Sequence, residues 1–219
     1  MTPVHRLPIA IVLLLAVAGV AVAASANQPK KAIKPAVQAQ AKAINIQRGD
    51  LPGKGWKSSP PSPKKGDTPT CSFYDPVQSD LTENGDADSR TFSSPDGSEV
   101  SSTVGIFVSA SQGATAYKRV VQPDLPRCLA QLLVKSGNGN IAVRSSAPLA
   151  FPKYGDQSAA YRVSVTVKSG NTKVPVVLDI VAVNRGKADI AFFFTANRTP
   201  WSAQFEQLVV GRVSARAKT

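Results

Sequence analysis

Nucleophilic catalysis through a Ser-His-Asp or Cys-His pair needs an imidazole, and this 219-residue sequence has one histidine, His5. His5 lies in an N-terminal segment that reads as one removed on maturation, leaving no imidazole base and no imidazole ligand for zinc. Two cysteines, Cys71 and Cys128, are too few for a four-thiolate zinc site or an iron–sulfur cluster. Carboxylates remain. Asp67, Asp75, Asp80 and Glu83 could supply a pair for glycoside hydrolysis, but they sit in Ser/Pro/Gly-rich sequence with only Phe73 and Tyr74 as a sugar platform. Asn84-Gly85-Asp86-Ala87-Asp88-Ser89 begins like a calcium loop. Its twelfth position is Pro95 rather than a bidentate Glu, so a solvated acidic turn is the reading preferred. Gly137-Asn138-Gly139-Asn140 is too short for a phosphate loop and has no suitably placed Lys. The sequence therefore assigns no catalytic residue, no cofactor and no metal ligand.

The address is more legible than the chemistry. His5 and Arg6 precede an apolar run from Leu7 to Ala23, and Ala24-Ser25-Ala26 offers a small-x-small cleavage site. Residues 1–26 read as a secretory signal peptide or, if uncleaved, as a membrane anchor of about 30 Å. No cysteine follows to accept a lipid. Both alternatives place the remainder outside the cytoplasm, in an envelope compartment where Cys71 and Cys128 are expected to form a disulfide.

Charge is distributed in blocks. Residues 27–65 hold nine bases against Asp50 alone, residues 66–99 hold eight acids against Arg90, and residues 100–219 hold 15 bases against five acids. Residues 27–48 lack periodicity and read as a basic flexible tether, one able to meet an anionic membrane or wall polymer. Nucleic acid is excluded as partner by the export signal and by the absence of a recognition motif.

The elements that would position any site lie in residues 49–219, read as one α+β domain. Val100 to Ser109 alternates as a half-buried strand; Ala114 to Val121 and Leu129 to Leu133 have helical spacing, interrupted at Pro123 and Pro126. Short Ile141–Ser145, then Ala159–Lys168, Val174–Val183 and Asp189–Thr195 follow as strands joined by turns. A C-terminal amphipathic helix is expected to start with Thr199 as N-cap and Pro200 at its first position. The sum predicts an antiparallel sheet of four to six strands with helices on one face. If there is a ligand, the apolar or anionic kind fits best. Its pocket would lie between sheet and helices around Tyr117, Leu129, Leu133, Phe192, Phe194, Trp201 and Phe205, with Lys or Arg at the mouth.

That order of elements, with the opening Asp50-Leu51-Pro52-Gly53-Lys54-Gly55-Trp56, resembles bacterial exported sensor-type domains. These are the extracellular domains of PknH-like kinases and the PsbP-like small exported proteins. The resemblance implies an antiparallel sheet with helices on one face and a ligand cleft. It carries over no ligand residues, and the chain has one cysteine pair where the kinase sensors have two. The expectation is a non-enzymatic, sensor-like binding domain. A carboxylate-dependent envelope hydrolase and a purely structural envelope protein are the alternatives.

Overall fold

A computed structural model describes residues 27–61 and 68–218. The signal or anchor reading of residues 1–26 lies outside them. Periodicity locates the C-terminal half well. Alternating Val100, Ser102, Val104 and Ile106 form β5 (Glu99–Phe107), numbered after four shorter strands described below. The two helical stretches become α2 (Ala110–Val120) and α3 (Leu125–Ser136). The meander is β6 (Ile141–Pro148), β7 (Gln157–Ser169), β8 (Thr172–Arg185) and β9 (Ala188–Asn197), followed by α4 (Ala203–Arg216). The last helix starts later than expected. Its N-cap is Ser202, whose hydroxyl accepts from the Phe205 N–H, because the preceding Trp201 is held back by donating its indole N–H to the Thr195 carbonyl.

The sheet is larger than four to six strands and is mixed. Nine strands join in the order β1-β3-β5-β9-β8-β7-β6, with β4 pairing both β5 and β2. β1 (Lys30–Lys31) runs parallel to β3 (Thr82–Asp88), whereas every other pairing is antiparallel. β2 (Lys57–Ser59) and β4 (Thr91–Ser93) extend the same edge of β5 that β3 occupies. These four strands are short and polar, so no apolar alternation announced them. Residues 84–88, read as an acidic turn, are part of β3.

Helices cover both faces, not one. Register puts Phe192 beside Val181 and Val181 beside Ala160, so these share a face with Val100, Val104 and Ile190. α4 covers that face with Val209, Val210 and Val213, none of them exposed. On the opposite face Val163, Val165, Val167, Val174 and Val176 pack against Ala130 and Leu133 of α3, and Phe107 packs with Ala116 of α2. Strands carrying apolar residues on both sides need two covering layers.

The third correction concerns residues 27–48. They do not run as a tether: β1 is followed by α1 (Pro35–Ile44), whose Ala41 and Ile44 enter the main core beside α4. Polar bonds fix this segment. Ser102 Oγ–H donates to Asn45 Oδ1 at 2.7 Å, and Asn45 Nδ2 donates to Ala87 O at 2.9 Å. Arg216 of α4 donates to both oxygens of Asp50, at 2.6 and 2.7 Å, and to the carbonyls of Ile44 and Asn45. The approach of α1 to β3 is so close that only glycine fits at Gly85, where a Cβ would sit 2.7 Å from the Val37 carbonyl oxygen. Gly85→Ala should therefore cost about 1–3 kcal/mol in urea unfolding through backbone displacement, although the residue is not in the main core.

Candidate functional site

Two surface features stand out, and the more built of them is an aromatic ledge. Phe194 is sealed in the core, and Phe205 meets it edge-on at 6.2 Å and 81°. Phe205 in turn stacks on Trp201, ring centroids 4.4 Å apart and 20° from parallel. Trp56 closes the group at 5.8 Å from Trp201 and 5.9 Å from Phe205, within 17° and 9° of parallel. Trp56, Trp201 and Phe205 thus form a cluster of three near-parallel, mutually contacting rings, which Phe205 joins to the core and whose outer surface is half-exposed. Stacked pairs of this kind contribute about 0.5–1.5 kcal/mol each beyond burial.

Each tryptophan is held by its own bond to a backbone carbonyl. Trp201 is tied to Thr195 O at 3.2 Å and Trp56 to Pro52 O at 2.8 Å. The Trp56 loop bends at Gly53 and Gly55, both at positive φ near 80°, and Arg48 pins it by donating to the Leu51 and Gly53 carbonyls. Three exposed bases stand within three residues of the tryptophans: Lys54, Lys57 and Arg198. The neighbouring Asp96 is turned into its own loop, accepting from the Ser98 amide at 3.1 Å. Ring faces with cations around them suit a ligand having an apolar face and an acidic group.

The second feature is an open groove of about 650 Å³ beside the disulfide. Cys71 and Cys128 are bonded, with Cα atoms 5.7 Å apart, joining the loop before β3 to α3. Such a bridge fits an oxidising compartment. Phe73, Tyr74 and Val77 give the groove an apolar floor, and Asp75, Asp80 and Asp124 line it with acid. Its Arg119 is paired with Asp80, one nitrogen–oxygen contact being 3.0 Å. Burial pushes the Tyr74 phenol well above its usual range, and its hydroxyl donates to Val120 O at 2.6 Å. This lining is the reverse of the basic mouth expected for an anionic ligand.

The seven residues proposed to share one pocket are divided by the sheet. Phe192, Phe194, Trp201 and Phe205 belong to the α1/α4 face, whereas Leu129 and Leu133 pack on the α2/α3 face. Tyr117 is a buried residue of α2, raised above its usual range by burial and by Tyr161 and Asp189. Phe192 and Phe194 have no exposed surface. Trp201 and Phe205 on one face, and Leu129 and Leu133 on the other, are partly exposed; the partner that completes the ledge, Trp56, was not among the seven. Pro52-Gly53-Lys54-Gly55-Trp56 was the available signal: two glycines fold a loop back so that a large ring can meet a distant helix.

The carboxylates named for hydrolysis do not gather. Asp75 and Asp80 line the groove, Glu83 pairs with Lys31 of β1, and Asp67 lies outside the described residues. Among the described residues no group of three His, Cys, Asp or Glu side chains could hold a metal ion. A buried acidic pair lies elsewhere. Asp179 of β8 and Glu206 of α4, each 1% exposed, meet beneath α4, with Arg162 donating to both Asp179 oxygens at 2.6 Å. Burial first, then the hydrogen bond and charge of Asp179, push Glu206 up to about 8, so its carboxyl is protonated at neutral pH. With no exposed surface for a substrate, this pair belongs to packing rather than to chemistry.

Among the described residues no helix is long and apolar enough to cross a membrane. No family model and no curated protein matches the chain.

Proposed function

We propose that the protein is an extracytoplasmic, non-enzymatic binding domain of the sensor-like kind, and that it binds through the aromatic ledge. The observation that carries this reading is the three-ring cluster of Trp56, Phe205 and Trp201, half-exposed and flanked in sequence by the exposed Lys54, Lys57 and Arg198. Aromatic faces accept the apolar side of a sugar ring or acyl chain, and the bases select an acidic group beside it. An anionic glycan of the envelope has both features. The disulfide and the signal-like residues 1–26 support an envelope location.

Topology supports the orientation as well. β1 meets β3 at Thr82 and Glu83, opposite Phe107 at one end of β5, while the ledge stands beyond the other end, where Glu99 faces Thr195. Along β5 that separation is about 27 Å. A domain held at its N-terminal side therefore presents the ledge outward.

The test is binding of acidic and neutral envelope glycans by calorimetry, with Trp56 fluorescence as a second readout. Trp56→Ala is expected to weaken binding of the acidic glycan at least tenfold, and Lys54→Glu/Lys57→Glu to weaken it and abolish its salt dependence. Equal binding by wild type and both variants, or no binding of any glycan or anionic vesicle, would leave the ledge a structural element only.

A further inference from the structure

The ledge and the buried carboxyl pair share one helix. Trp201 precedes α4, Phe205 is on its first turn, and Glu206 is the next residue, pointing to the sheet. Glu206 Oε1 has no hydrogen-bond partner, and the Nε and Nη2 groups of Arg162 both donate to the neighbouring Asp179. One guanidinium thus faces two carboxyl groups, and the second can stay beneath the helix only as the neutral acid, its O–H donated to Asp179. We infer that Glu206 is a proton-dependent latch that holds the first turns of α4, and with them the aromatic ledge, on the sheet. Loss of its proton to solvent frees those turns. This rests on the ledge being the binding surface, since its purpose would be to regulate that surface by pH.

Among the described residues Arg162 is the base that bears on Glu206, and Arg185 of β8 donates to the Ser214 carbonyl of α4 at 3.0 Å. β9 offers Phe192 and Phe194 below α4, and β5 offers Val100 and Ser102. Arg144 of β6 is bound to Thr166 Oγ1 at 2.8 Å. From the flanking loop the Tyr154 hydroxyl donates to Gln207 O at 3.1 Å, and Lys153 is exposed. Asp50 of the 3₁₀ turn (Arg48–Asp50) is taken by Arg216 near the far end of α4, and Arg212 donates to the Asp50 carbonyl at 2.9 Å.

The sign follows from linkage. A carboxyl titrating near 8 in the closed state and near its ordinary 4.5 when released keeps its proton only while closed. The closed state is therefore favoured fully below about pH 4.5. Its advantage falls as pH rises to 8 and is constant above that, by up to tenfold per pH unit. Amide exchange of α4 in the intact protein, corrected for intrinsic rates, reads this opening directly. The opening constant at Leu208–Val210 is expected to rise several-fold to tenfold per unit between pH 5.5 and 8 and then level, with α3 amides as reference. In Glu206→Gln the α4 profile should be flat, because the amide can still donate to Asp179 but cannot ionise. Asp189 on the other face also titrates near 8, raised chiefly by burial, so the difference between wild type and E206Q isolates Glu206. Carboxyl-carbon NMR gives a second measurement on wild type alone: a Glu206 midpoint near 8 supports the latch. A midpoint in the ordinary carboxylate range, or parallel α4 profiles in wild type and E206Q, overturns it. Neither readout involves a ligand, so failure of glycan binding would leave this result standing, and the reverse.

Discussion

Replacing Arg162 by Met should destabilise the protein by about 3–5 kcal/mol at neutral pH, the usual cost of leaving a buried charge without its partner. Asp179 is 1% exposed and takes both of its charge-assisted bonds from Arg162, while the Arg162 side chain itself is 32% exposed. Met keeps the apolar stem of this largely covered side chain, so the loss measured is mainly electrostatic. Without the guanidinium, Asp179 and the adjacent Glu206 cannot both be accommodated as anions in the folded state. The orphaned carboxylate must bind a proton to stay folded, so the loss should be smaller in urea titrations at pH 5 than at pH 8. Arg162→Met/Asp179→Asn should recover most of it, because Asn can accept the Glu206 O–H without carrying charge. A loss below about 1 kcal/mol for Arg162→Met would mean that the pair behaves as an exposed ion pair.

The disulfide should matter on a similar scale. Cys71 and Cys128 are 57 residues apart, and closing a loop of that length removes about 4 kcal/mol of denatured-state entropy in the chain-entropy model. Cys71→Ala/Cys128→Ala is therefore expected to lower the urea midpoint strongly and to raise the slope with denaturant, since the unbridged denatured chain exposes more surface. Alanine is the better replacement because Cys128 is fully buried in α3, where a serine hydroxyl would add a desolvation cost. The bridge anchors the Tyr74 loop on the α2/α3 face, whereas Arg162 and Asp179 face α4. With the sheet between them, the two losses should add to within about 0.5 kcal/mol. Two reactive thiols per unreduced chain would show that the bridge does not form.

The aromatic ledge shows how local and distant information divide in this chain. Trp201, Phe205, Leu208, Val209 and Val213 repeat at helical spacing, and the chain alone placed them on one helix. Alternation likewise located β5 and β7, because half-buried strands repeat every two residues, while continuous apolar runs bounded by turns located β8 and β9. The cysteine pair was legible from count and compartment. What α4 meets was not. Trp56 lies 145 positions before Trp201, and nothing in either segment encodes their stacking. β1 to β4 were missed because they are short or polar, and Phe92 and Ala87, their residues in or against the main core, are too few to make an alternating pattern. Residues 27–48 read as a tether because what fixes them is distant in the chain: Ser102 bonded to Asn45, and Arg216 bonded to the Ile44 and Asn45 carbonyls.

Composition and local periodicity thus determined the α+β class, the cysteine pair that forms the disulfide and the principal strands and helices. The tertiary structure alone decided that helices cover both faces, that the seven proposed pocket residues fall on opposite sides of the sheet, and that Glu206 lies against Asp179. The physical reason is that periodicity reports which face of an element is apolar, whereas sheet order and register decide what lies opposite it. Those are set by contacts between residues far apart in the chain, which no local window of sequence contains.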